Sequence, residues 1–103
     1  MKYNLFIDDI REPFDGYDVR RTYEEAIHTM TTRGCPSNIS FDHDLGEGKT
    51  GYDVAWWIVE KDMDEDGKWI PDDFEFTVHS ANPVGKENIV KLITNYLKMR
   101  RKG

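Results

Sequence analysis

The chain has 103 residues, of which 38% are apolar, 33% charged and 13% aromatic, enough aromatic bulk for one compact core at this length. Its formal charge is −6, and Lys98, Arg100, Arg101 and Lys102 crowd the last six residues, leaving 10 basic against 20 acidic groups in residues 1–97. A body this acidic repels a long phosphate backbone, which argues against sequence-general nucleic-acid binding but leaves room for a small phosphorylated ligand at one local site.

Cys35 is the single cysteine, so an internal disulfide and a cysteine-based zinc cage are both excluded. No segment has the length of a membrane span or a secretory apolar region, and the expectation is a cytoplasmic, membrane-free protein. The basic tail reads as the solvated end of a helix, where cations oppose the helix dipole.

Residues 3–8 form an apolar run ending in acid, the pattern of a buried strand. A weaker strand follows at Tyr17 to Arg20. Thr22 and Glu25 form a capping box that opens a helix with Ala26, Ile27 and Met30 on its apolar stripe, stopped by Gly34 and Pro36. Ile39 to Asp42 is a third short strand, and a Gly-rich turn runs from Leu45 to Gly51. The period from Tyr52 to Lys61 is helical, with Val54, Trp57 and Ile58 on one side. Phe74 to His79 alternates as a fourth strand. The last helix starts near Gly85 and carries Ile89, Leu92, Ile93, Tyr96 and Leu97 on one face.

This alternation predicts one α/β domain over residues 1–103, a sandwich built on a mainly parallel sheet with helices on both faces. Only about eight residues, Asp9 to Gly16, join the first two strands, fewer than a helical crossover uses, so that link is a loop or a single helical turn.

Ligands of such sheets bind beyond the carboxyl ends of the strands. Three strands end in polar clusters here: Asp8-Asp9, Asp42-His43-Asp44 and His79-Ser80-Ala81-Asn82. Clustered carboxylates suit a hard cation such as Mg²⁺ or Mn²⁺, with Asp8, Asp9 and Asp42 as its ligands. Two histidines suit proton transfer, because imidazole titrates near neutral pH. The competing expectation is that His43 and His79 pair with the acids and no metal is needed. Arg11 and Lys49 are candidates to neutralise an anionic substrate; the bland reading of both is surface charge.

Two apparent motifs are weaker. Gly48-Lys49-Thr50 resembles the end of a phosphate-binding loop, but the first glycine of that motif would fall at His43. Asp62 to Gly67 begins like a calcium loop, yet its twelfth position is Asp73 where a bidentate Glu is required, so an acidic solvated turn is expected. Trp56 and Trp57 are adjacent on a helix, so at most one faces fully inward and the other covers a site or a partner surface.

Asp8-Asp9, Asp42 and Gly51-Tyr52-Asp53-Val54 resemble a response-regulator receiver domain, in which such acids hold Mg²⁺ and the third accepts the phosphoryl group. His43-Asp44 and His79-Ser80 depart from that pattern. The chain is more similar to the cyclic-phosphate processing receiver-like family, through Phe6 to Pro13, Ser40 to Gly46, Thr50 to Val54 and Val78 to Gly85. The resemblance implies a truncated receiver-like (flavodoxin-like) three-layer sandwich with strand order 2-1-3-4. It also implies a site of Asp8, Asp9, Asp42, His43, Asp44, His79, Ser80 and Asn82, acting on cyclic phosphates in RNA repair or nucleotide metabolism.

The reaction expected on that basis is hydrolytic opening of a cyclic phosphate diester to a monoester. His43 and His79 would divide the base and acid roles, and Asp44 would orient His43. Ser80 and Asn82 would hold non-bridging oxygens, and Arg11 would offset their charge. A nucleoside 2′,3′-cyclic phosphate, an RNA end or an ADP-ribose cyclic phosphate presents the same ring. The alternative function is that of a degenerate receiver which binds a phosphorylated ligand or a protein partner without turnover.

Overall fold

The order of elements is β1 (Asn4–Ile7), β2 (Asp18–Arg20), α1 (Tyr23–Arg33), β3 (Asn38–Phe41), α2 (Gly51–Asp64), β4 (Glu75–Val78) and α3 (Pro83–Lys102). The computed structural model describes residues 2–45 and 48–102. Gly46 and Glu47 of the Gly-rich turn, and the side chains of Arg101 and Lys102 in the basic tail, lie outside what is described.

The four strands form one all-parallel sheet in the order β2-β1-β3-β4, as the alternation and the resemblance predicted. Register sets the site. Ile7 pairs with Phe41, and Phe41 pairs with Val78. The next residue of each strand is therefore Asp8, Asp42 and His79. Backbone bonds continue past the strand ends to hold them level: Asp42 N–H donates to Ile7 C=O and His79 N–H to Phe41 C=O, each at 2.8 Å.

Both helical crossovers, β2-α1-β3 and β3-α2-β4, run in the same direction across the sheet, and right-handed connections then place both helices on one face. Contacts of α1 with α2 and of α2 with α3 complete a single helical layer. Leu5, Ile7, Ile39, Phe41 and Val78 point into this layer and share one core with Ala26, Met30, Val54, Ile58, Ile89 and Ile93. The expectation of helices on both faces is corrected here. The opposite face carries the β1–β2 connection instead, where Phe14 meets Phe6 edge to face at 5.2 Å. Its residues are too few for a helical crossover, and they form a loop whose Tyr17 N–H donates to Phe14 C=O.

The helix starts follow from their caps. Thr22 accepts from Glu25 N–H, with Glu25 reaching back to Arg21 N–H, and Thr50 and Asp53 form a reciprocal capping box. Asn82 Oδ1 accepts from Gly85 N–H at the start of α3. Each helix follows a strand of a parallel sheet, so all three N-termini come to the rim where the strands end.

The acidic stretch after α2 also differs from expectation. Asp64, Glu65 and Asp66 are exposed, but Asp62 is fully buried. Its carboxylate accepts from Trp69 N–H, Ile70 N–H and the Tyr96 hydroxyl at 2.6–2.8 Å. Arg100 folds back onto Asp62 and donates to Ile70 C=O, so this residue of the basic tail is a half-buried latch rather than a solvated end. Burial alone would disfavour the Asp62 charge; the Ile70 N–H, the Tyr96 hydroxyl, the Trp69 N–H and Arg100 outweigh it and hold the carboxyl below its usual range.

Candidate active site at the carboxyl rim

Asp8 sits at the centre of the rim and is almost completely buried. Its Oδ1 accepts from the backbone N–H groups of Ile10 (2.9 Å) and Arg11 (2.8 Å), a turn that bends the chain away at the strand end. Its Oδ2 lies 2.9 Å from His79 Nε2 and 4.0 Å from Arg11 Nε. Burial opposes ionisation of Asp8, but the Arg11 and Ile10 N–H groups and His79 together lower its pKa.

Asp42 is pushed the other way. Burial and the neighbouring Asp8 charge raise its pKa, against the lowering effects of Asp44 N–H, the Ser80 hydroxyl and His79. Asp8, Asp9 and Asp42 each offer a carboxylate oxygen, all within 4.8 Å of one another. Three acids this close carry a repulsion that a divalent cation would remove, and an all-oxygen donor set matches the preference of Mg²⁺ or Mn²⁺. The donor set fits such an ion.

The two histidines have different surroundings. The His79 ring is stacked on Phe6, centroids 4.5 Å apart and planes 8° apart. Nε2 is engaged by Asp8, and Nδ1 lies 2.7 Å from Ser40 Oγ, to which the Thr77 hydroxyl donates in turn. Both ring nitrogens are thus occupied. His43 is more open. Its Nδ1 lies 3.1 Å from Asp44 Oδ1, and its Nε2 has no hydrogen bond among the described residues. One flank of the His43 ring rests against Gly85 at the start of α3, where a Cβ would fall 2.9 Å from Nδ1 and closer still to the ring carbons. Gly51 plays a similar part, because its N–H donates to His43 C=O and a Cβ there would strike Asp42 C=O.

The remaining candidates divide. Arg11 lies on the rim, its guanidinium donating to His79 C=O at 3.3 Å. Ser80 Oγ accepts from Asn82 N–H, and the Ser80 hydroxyl is one of the groups that oppose the rise in the Asp42 pKa. Asn82 spends its carbonyl oxygen on the α3 cap, and its amide N–H₂ has no hydrogen bond among the described residues. Lys49 is not part of this cluster: it is exposed, with Nζ 5.5 Å from the centroid of Tyr23.

Sequence reading missed three residues. Arg21 donates to the carbonyls of Asp8 and Arg11 and so holds the first acidic turn in place. Ser40 and Thr77 anchor His79 from below. Ser40 carried a signal, a hydroxyl between Ile39 and Phe41 in a buried strand; Thr77 and Arg21 carried none that separates them from ordinary surface residues.

Comparison with known proteins agrees with this geometry. No curated protein matches the chain. A solved structure, a fusion carrying the yeast Spc42 trimeric coiled-coil amino acids 181–211, is similar in fold at a TM-score of 0.60 and 17% identity, covering 98% of this chain and 75% of that one. The family model for the cyclic-phosphate processing receiver domain matches residues 3–95, which include every rim residue described above. The chain belongs to the cyclic-phosphate processing receiver domain family.

Proposed function

We propose that the rim opens a cyclic phosphate diester hydrolytically to a monoester. The observation that carries this reading is three carboxylate oxygens within 4.8 Å of one another, with His43 next in sequence to Asp42 and its Nε2 without a hydrogen bond among the described residues. Asp8, Asp9 and Asp42 would hold one divalent cation, which when bound supplies Lewis-acid stabilisation of the charge developing on phosphoryl oxygens.

This chain's own residues then have separate tasks. His43 takes a proton from the attacking water through Nε2, while Asp44 holds Nδ1 and fixes the ring. A bond forms between the water oxygen and phosphorus, the ring P–O bond breaks, and the departing alkoxide takes a proton from solvent at the open rim. Arg11, the Ser80 hydroxyl and the Asn82 amide face the non-bridging oxygens. His79, with both nitrogens engaged, positions Asp8 rather than sharing the acid and base roles with His43.

The test is incubation with a panel of nucleoside 2′,3′-cyclic phosphates, cyclic-phosphate RNA ends and ADP-ribose cyclic phosphate, with and without Mg²⁺, followed by phosphorus NMR. Ring opening that needs His43 and Asp42 supports the reading. Tight binding with the cyclic phosphate recovered intact would instead establish a non-catalytic phosphate binder.

A further inference from the structure

A groove beside the rim has no assigned role. Tyr23 from the first turn of α1, and Lys49, Asp53, Trp56, Trp57 and Glu60 in and before α2, line a space of about 390 Å³. One end of it lies toward the rim, because Tyr23 and Asp53 stand in the first turns of α1 and α2 and Gly51 N–H ties the start of α2 to His43 C=O. Trp57 is fixed edge to face against Trp69 at 5.5 Å, while Trp56 stands 40% exposed.

The chemistry of the lining selects an occupant. Two carboxylates against one ammonium repel a phosphate or a carboxylate. Lys49 already lies over the Tyr23 ring and disfavours a second cation there. Aromatic faces with carboxylate acceptors at their edge suit a neutral, flat group that carries N–H donors. The Asp53 carboxylate has one oxygen, Oδ2, committed to the capping box, and Glu60 is exposed at the other end of the groove.

We propose that this groove is a nucleobase subsite: the base stacks on Trp56 and its exocyclic amine donates to Glu60, while the phosphate of the same ligand lies on the rim. The inference rests on the cyclic-phosphate reading and narrows the substrate class to nucleoside cyclic phosphates.

The test uses tryptophan fluorescence and calorimetry with adenosine 2′-monophosphate, ribose 5-phosphate, adenosine and arginine amide as probes. Adenosine 2′-monophosphate is expected to bind about tenfold tighter than ribose 5-phosphate, the effect of one base stacked on an aromatic side chain. Trp56→Ala and Glu60→Gln, both at exposed positions, should remove that advantage and leave ribose 5-phosphate unchanged. Adenosine alone probes the groove without the phosphate site, so quenching by adenosine that Trp56→Ala abolishes supports the subsite even if no cyclic phosphate is opened. Equal affinities for the nucleotide and ribose 5-phosphate, with cyclic phosphates still opened, overturn the subsite and leave the rim reading standing. Quenching by arginine amide but not by adenosine also overturns it, as the signature of a cation-binding cage.

Discussion

Asp8 Oδ2 and His79 Nε2 meet at 2.9 Å across 71 residues of sequence, with both side chains largely shielded from water. The pair ties the end of β1 to the end of β4 over the top of β3, and so braces the rim from an interior strand to the β4 edge. It also commits His79 to a structural task, which separates the roles of the two rim histidines.

The separation is measurable. His43→Ala should fold with near-parental stability and lose cyclic-phosphate opening by at least about a hundredfold, the usual worth of a general base. His79→Ala should instead lower stability by about 2 kcal/mol, because it strips a partner from buried Asp8 and uncovers Phe6. Urea denaturation and phosphorus NMR on both variants check this; comparable stability losses in the two would refute the division of roles.

Ser40→Ala extends the same logic one step down the chain of hydrogen bonds. It leaves His79 Nδ1 without its partner in a nearly closed site, at a cost of about 1–3 kcal/mol. Ser40→Thr, which keeps the hydroxyl, should recover part of that loss in the same denaturation assay.

Asp42 should show opposed effects on stability and metal binding. A raised pKa means that the folded state disfavours the ionised form, so the stability Asp42 contributes is present at low pH and falls as pH rises through its folded value. Asp42→Asn removes that penalty and should raise the melting temperature of the metal-free protein at pH 7. The same change should abolish the upward shift of melting temperature on adding millimolar Mg²⁺. A variant that melts lower than the parent without metal would contradict the electrostatic argument.

Asp62 has the reverse sign. Its lowered pKa contributes stability that is complete above the usual carboxyl range, near pH 4, and is lost as pH falls through the depressed value. Asp62→Asn should cost about 3 kcal/mol at pH 7, since it leaves Arg100 and two backbone N–H groups poorly matched. It should also flatten the acid limb of a plot of stability against pH. Denaturation at several pH values between 2 and 7 reads both effects.

The two packed glycines give a further contrast. At Gly51 an added Cβ meets the backbone carbonyl of Asp42, which cannot move without shifting the strand end, so Gly51→Ala should destabilise the fold severely. At Gly85 the obstacle is the His43 ring, which can swing aside, and alanine favours the helix by about 1 kcal/mol. Gly85→Ala should therefore fold well, with His43 displaced and ring opening slowed at least tenfold.

The parts legible in the sequence are those governed by local rules. Strand ends at Asp8, Asp42 and His79 could be placed because short apolar runs stop there, and parallel register then brings the three residues level. The helix beginning after Thr22 could be placed because its cap is contiguous, although Glu25 accepts from Arg21 N–H, one residue before the Thr22 of the expected capping box. Asp62 could not be read this way. Its hydroxyl and guanidinium partners lie 34 and 38 residues away, and nothing nearby in sequence distinguishes it from the exposed acids that follow. The single helical layer was half legible: the short β1–β2 link was visible, but its consequence, a loop where a second helical layer was expected, needed the direction of the other two crossovers.

Three helix N-termini at one rim have a consequence for how the site tolerates change. Each brings roughly half a positive charge with it, carried by backbone rather than by any replaceable side chain. The background field that offsets the carboxylates is therefore a property of strand order and handedness. Loops and side chains around the rim can drift, and with them the choice of ligand, while the topology goes on supplying a place where negative charge is tolerated.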